Sequence, residues 1–119
     1  MNVEELRVFC LSKKGVTEEF PFDEHTLVFK VMGKVFALIP LQRIPPQCNL
    51  KCEPEKAIGL REEYDGLITP GYHMNKKHWN TLFLDNLSPD IIRELVNHSY
   101  DLVVSGLTKK LKDELKALQ

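Results

Sequence analysis

Hydrophobic positions along this chain recur with two different periods. In "VEELRVFCLSKK", Val3, Leu6, Phe9 and Cys10 fall at helical spacing, and Gly15 is well placed to end that helix. "TLVFKV" instead sets Leu27, Phe29 and Val31 against Thr26, Val28 and Lys30, the alternation of a strand. "MGK" supplies a turn and "VFALIP" the returning strand of a hairpin. "LQRIPP" reads as a loop, because two consecutive prolines cannot donate to a sheet ladder, and "QCNLKC" as a third, shorter strand. Between the first helix and the first strand, "VTEEFPFDE" carries Pro21 and four carboxylates and reads as a connector.

The second half repeats the alternation of types. Proline at the first helical position, between Glu53 and Glu55, opens "PEKAIGLREEY", which presents Ala57, Leu60 and Tyr64 on one side. "GLITPGYH" and "HWNTLFLD" read as two strands around a polar tip. Ser88, Pro89 and Asp90 form a strong helix start, and the Leu/Ile/Val stripe of "IIRELVNHSYDLVVSG" marks the main cover of the sheet, ended by Gly106. "TKKLKDELKAL" adds a short amphipathic helix through Leu107, Leu111, Leu115 and Leu118. The order α-β-β-β-α-β-β-α-α implies an α+β, two-layer fold: a mainly antiparallel sheet with helices on one face. At 119 residues the chain is expected to form one domain, residues 1–119.

Composition narrows the possible functions. With 43% hydrophobic and 28% charged residues the chain can build a real core. A formal net charge of −1 excludes a globally basic nucleic-acid binder, so any such activity has to come from a local patch. The acidic "MNVEELRVFC" does not resemble a signal peptide, and the longest apolar stretch, near Val35 to Leu41, is too short for a bilayer. Cys10, Cys48 and Cys52 are an odd number and read as reduced thiols; a cytoplasmic location is expected, without a membrane partner.

Candidate chemistry centres on "PGYHMNKKHWN". Cys48 and Cys52 with His73 and His78 do not make a convincing zinc set. In an extended segment the two cysteines lie about 13 Å apart, whereas thiolates sharing a zinc each lie about 2.3 Å from it. Cys52, just before a helix, could act as a nucleophile, but Glu53 and Glu55 beside it oppose a thiolate and a buried thiol is the expected state. Adjacent carboxylates such as Glu18–Glu19, Asp23–Glu24 and Glu62–Glu63 point in different directions and make poor acid–base pairs. No catalytic constellation, metal or cofactor is expected. Basic and aromatic residues remain. Lys30 and Lys34 flank the first hairpin turn, Arg43 and Lys51 follow, and Lys76 and Lys77 occupy the second tip. A two-residue turn at Asn75–Lys76 would pair Met74 with Lys77 and His73 with His78. Tyr72 and Trp79 would lie nearby, either as an aromatic base for a phosphate-contacting wing or packed under a hairpin whose lysines only keep an edge soluble.

"FPFDEHTLVFKVMGKVFAL", "NLKCEPEKAIGLREEYDGLITPGYHMNKKHWNTLFLD" and "ELVNHSYDLVV" together resemble the MmcQ/YjbR family, over nearly the whole chain. The resemblance implies α-β(3)-α-β(2)-α topology plus, here, a short C-terminal helix. It also implies similarity to the "double wing" DNA-binding domain of a phage transcription factor, which uses its sheet and hairpins. The matching positions are Lys30, Lys34, Lys51, Lys76, Lys77, His78 and Trp79, joined by His73 from the same stretch. The expected partner is then DNA: Lys34, Lys51, Lys76 and Lys77 would contact phosphates, while His73, His78 and Trp79 position them or stack on bases. The alternative is a protein-interaction module that binds a partner or a second copy through its open sheet, marked by an apolar patch on the sheet face.

Overall fold

The computed structural model describes residues 1–71 and 74–118. Helix α1 (Val3–Leu11) starts with a reciprocal cap, in which the Asn2 side chain accepts from the Glu5 N–H while Glu5 accepts from the Asn2 N–H. Strands β1 (Val16–Glu19), β2 (Thr26–Val31), β3 (Lys34–Pro40) and β4 (Gln47–Lys51) follow. Helix α2 (Pro54–Glu63), strands β5 (Ile68–Pro70) and β6 (Trp79–Phe83), a 3₁₀ turn at Leu84–Asn86, and helices α3 (Pro89–Ser105) and α4 (Lys109–Ala117) complete the chain. Ser88 and Thr108 cap the last two helices through their hydroxyls.

The strands form a six-stranded antiparallel sheet in the order β1-β2-β3-β4-β6-β5. The α+β class and the one-sided helical cover are as the sequence pattern implies. The sheet has one strand more than that pattern predicts, because Val16–Glu19 pairs with β2 instead of forming part of a connector. Arg7 holds this edge: its guanidinium donates to both oxygens of Glu18, at 2.7 and 2.6 Å, tying α1 to β1 and keeping the Glu18 carboxyl below its ordinary pKa. The two strands around the polar tip are also shorter than expected, ending at Pro70 and beginning again at Trp79.

Between β2 and β3 the register slips: Phe29 faces Ala37, but Lys30 faces Val35. Phe36 is the extra residue of this bulge. Both Phe36 and Ala37 are therefore buried in the core, where Phe36 meets the Tyr100 ring edge-on at 5.5 Å. The core also gathers Leu6 and Cys10 of α1, Ala57 and Leu60 of α2, Ile92, Leu95, Val96 and Val103 of α3, and Leu115 of α4. Val28 and Leu38 are buried too, but belong to the opposite, helix-free face.

Candidate nucleic-acid interface

Antiparallel order places several basic residues at one end of the sheet. Lys34 opens β3, Lys51 closes β4, and Trp79 opens β6 directly opposite Lys51. The turn joining β2 to β3 has positive φ at both central residues, 50° at Met32 and 83° at Gly33, the geometry that follows the twist of a hairpin. It leaves Lys34 exposed. Lys30 behaves differently. The added strand β1 brings Glu19 to 3.6 Å from its ammonium, so this cation is already paired.

Ser99 shapes the space between Lys34 and Lys51. In a continuous ladder the Phe36 carbonyl would accept from the Lys51 N–H, but β3–β4 pairing runs only through Ala37–Leu50 and Leu38–Asn49. Beyond that point the Ser99 hydroxyl bridges the two groups, donating to the Phe36 carbonyl at 2.6 Å and accepting from the Lys51 N–H at 2.9 Å. Ser99 is fully buried. Next to this bridge lies an open depression of about 300 Å³ lined by Lys34, Val35, Lys51, Leu102, Val103 and Gly106.

The connection between β5 and β6 is not the two-residue hairpin the sequence suggests. Gly71 still pairs across to the Trp79 carbonyl, at 2.8 Å, and a Cβ there would lie 2.9 Å from the Trp79 Cβ, so the approach requires glycine. Met74 and Lys77 are then not ladder partners: β6 begins only at Trp79, and residues 76–78 form a turn before it. Asn75 organises its end: the carbonyl accepts from the His78 and Trp79 N–H groups, and the side chain accepts from the Lys77 N–H. The expected Tyr72 and His73 positions, and the His73–His78 pair, lie outside the described residues. Lys76 and Lys77 are exposed, while His78 and Trp79 are half-buried. The His78 carbonyl accepts from the Cys52 N–H at 2.7 Å.

Arg61 of α2 pins this loop, a role the sequence reading did not assign. Its guanidinium donates to the Asn80 Oδ1 at 2.7 Å, to the Lys76 carbonyl, and to the Trp79 carbonyl at 3.4 Å. Buried Asn80 in turn donates to the Ala57 carbonyl at 3.4 Å. A signal was available: Arg61 follows Ala57 by one helical turn and borders the buried stripe.

The YjbR family model matches residues 11–102 of the sequence. This chain belongs to the YjbR family. It is 42% identical over 92 residues to the uncharacterized protein YbdF of Escherichia coli O157:H7, covering 76% of this chain and 75% of that protein. It is 33% identical over 119 residues to the uncharacterized protein YjbR of Escherichia coli K12, covering 99% and 100% respectively. The crystal structure of Deinococcus radiodurans protein DR2400, a DUF419 domain, superposes with a TM-score of 0.89 at 40% identity, covering 97% of this chain and 88% of that one. A Pseudomonas syringae protein superposes at 0.72 with 28% identity, covering 86% and 98%.

In this YjbR-family chain all three thiols are buried. Burial pushes Cys10 up to about 12 and also raises Cys48. Burial is likewise the main cause of the raised Cys52 pKa, with Lys56 opposing it and Glu53 adding to it. The protonated thiol is then favoured at neutral pH, and alkylation of the native protein by iodoacetamide is expected to be slow at Cys52. The rate should keep climbing with pH after a free thiol has levelled off, and unfolding in urea should abolish the protection. A native rate equal to the unfolded one contradicts this assignment. His98 accepts from the Glu53 N–H through Nε2 at 3.3 Å, which requires the neutral ring; burial first, then Lys56, lowers its pKa. Among the described residues no group of three or more His, Cys, Asp or Glu side chains could hold a metal ion, and no helix is long and apolar enough to cross a membrane.

Proposed function

We propose that this domain binds nucleic acid, as duplex DNA, along the lysine end of its sheet. The observation that carries the reading is that Lys34 and Lys51 stand at strand ends on one end of the sheet, where Lys76 and Lys77 lead into β6. Among the described residues none of the four has a carboxylate within 4.0 Å. Uncompensated ammonium groups on separate strand ends are the chemistry that phosphate contacts need, and a local patch is sufficient when the net charge is near zero. Trp79, directly across from Lys51, offers a ring beside them for stacking. Lys30, held by Glu19, contributes least. The family resemblance to a double-wing DNA-binding fold points the same way as analogy.

The test is fluorescence anisotropy on a labelled duplex of random sequence across a series of KCl concentrations. Four neutralised phosphates give a log–log salt slope of about −3.6, and Lys76→Ala/Lys77→Ala shortens it by about 1.8. Affinity indifferent to both salt and substitution removes the reading.

A second reading rests on the opposite end of the sheet, where Phe22 and Ile44 are 71% and 94% exposed and Phe20 and Leu41 line a shared depression. Such an apolar end suits a protein partner or a second copy. Phe36, one of the residues that could have formed an open apolar face, packs under α3 instead. Concentration-dependent dimerisation by light scattering, lost in Phe22→Ser/Ile44→Ser, would favour this reading over nucleic acid.

A further inference from the structure

The helix-free face of the sheet contains a cleft of about 330 Å³ that none of the four lysines lines. Thr26, Leu38, Asn49 and Thr81 lie along its floor on β2, β3, β4 and β6, and Phe22, Arg43 and Met74 reach it from connections. This volume is at the lower end of the range for small-molecule sites, and apolar walls with a few converging polar groups are their usual composition.

The polar groups specify a chemistry. Arg43 is the one charged side chain among the described lining residues, and no described carboxylate lies within 4.0 Å of it. Asn49 has its Oδ1 engaged by the Thr81 hydroxyl at 2.5 Å, which leaves the Nδ2 hydrogens without a partner among the described residues. Two residues earlier on the same face of β4, Gln47 uses its Nε2 on the Pro45 carbonyl at 3.4 Å, leaving Oε1 as an acceptor. The cleft thus presents a guanidinium, an N–H donor and a carbonyl acceptor beside Leu38, Pro40 and Phe22.

We propose that this cleft binds a small carboxylate that also carries an amide and an apolar body, the chemistry of an N-acylated apolar amino acid. The carboxylate pairs with Arg43, the amide meets Asn49 and Gln47 through its two ends, and the apolar body covers Leu38 and packs against Phe22. The inference is independent of the nucleic-acid reading, since none of the four lysines lines the cleft.

The probe is N-acetyl-L-phenylalanine, titrated into isotope-labelled protein while the side-chain amide signals of Asn49 and Gln47 and the Arg43 Nε–H are followed by NMR. The control probe is its primary amide, identical except for the missing charge. Saturating shifts at all three side chains are expected with the acid, with binding about tenfold weaker for the amide, the scale of one charge-assisted contact. Arg43→Gln, a substitution at an exposed loop position, is expected to bring the acid down to the level of the amide while the remaining spectrum stays unchanged. Lys34→Ala should leave both affinities alone. Shifts that fail to saturate, equal affinity for the two probes, or indifference to Arg43→Gln overturn the proposal.

Discussion

Ser99→Ala is expected to destabilise the protein by about 2–4 kcal/mol, because the buried Phe36 carbonyl and the part-buried Lys51 N–H lose their partner, and a buried group left unsatisfied costs about 1–3 kcal/mol. The hydroxyl stands where the Phe36 carbonyl and Lys51 N–H would otherwise meet, so the alanine variant has two options. It can leave both groups orphaned at the α3 interface, at full cost. It can also close the β3–β4 gap so that they bond directly, but the bulge at Phe36 and the packing of its ring on Tyr100 resist that movement. Urea denaturation gives the magnitude, with an unchanged m-value showing that the two states are otherwise the same. Amide exchange at Lys51 gives the location. A loss below about 0.5 kcal/mol, the ordinary range of surface substitutions, would mean that the strands re-pair freely and that Ser99 does not hold them apart. Because the bridge borders the depression between Lys34 and Lys51, the same variant should also alter nucleic-acid affinity without removing a charge.

What could be read in the sequence follows from how local each signal is. Helix starts were legible where the signal is written in adjacent residues: Pro54 between Glu53 and Glu55, and Ser88 before Pro89 and Asp90. Strand β1 was not. Its four residues are half carboxylates, and they are ordered by Arg7 from one side and β2 from the other, partners no local pattern reveals. Glutamates on an edge strand also protect it from pairing with another chain, so the features that hide the strand have a physical purpose. Missing β1 hid Glu19, and with it the reason Lys30 differs from the other lysines. Phe36 shows a second limit: strict alternation puts it on the face opposite Ala37, and only the bulge brings both inward. The lysine end itself was legible in part. Lys34, Lys51, Lys76 and Lys77 could be named from sequence, but that Lys76 and Lys77 lead into the sheet at the end where Lys34 and Lys51 stand depends on β6 inserting beside β4.

Arg61→Met is expected to cost about 2–3 kcal/mol and to loosen the loop that carries Lys76 and Lys77. Methionine keeps the aliphatic stem against α2 and removes the donors to the Asn80 Oδ1 and the Lys76 and Trp79 carbonyls. Hydrogen bonds to charged groups contribute about 1.5–3 kcal/mol each, reduced here because Arg61 is only half-buried. The greater part of the loss comes from Asn80, which is buried and left with one weak bond to Ala57. Lysine should recover little, since a point charge cannot satisfy three acceptors that a planar fork reaches together. Raised amide exchange is expected at His78 and Trp79, whose N–H groups bond within the pinned loop, and not at β2 or β3. A double-mutant cycle with Asn80→Ala separates pinning from general destabilisation. Coupling above about 1 kcal/mol marks one network, and additive losses would show that Arg61 and Asn80 act apart. If the lysine reading is right, Arg61→Met also weakens DNA binding while largely preserving the salt slope, because the cations remain and only their arrangement is lost. A slope that falls by a full contact would instead make Arg61 itself a phosphate ligand, released from the loop when nucleic acid binds.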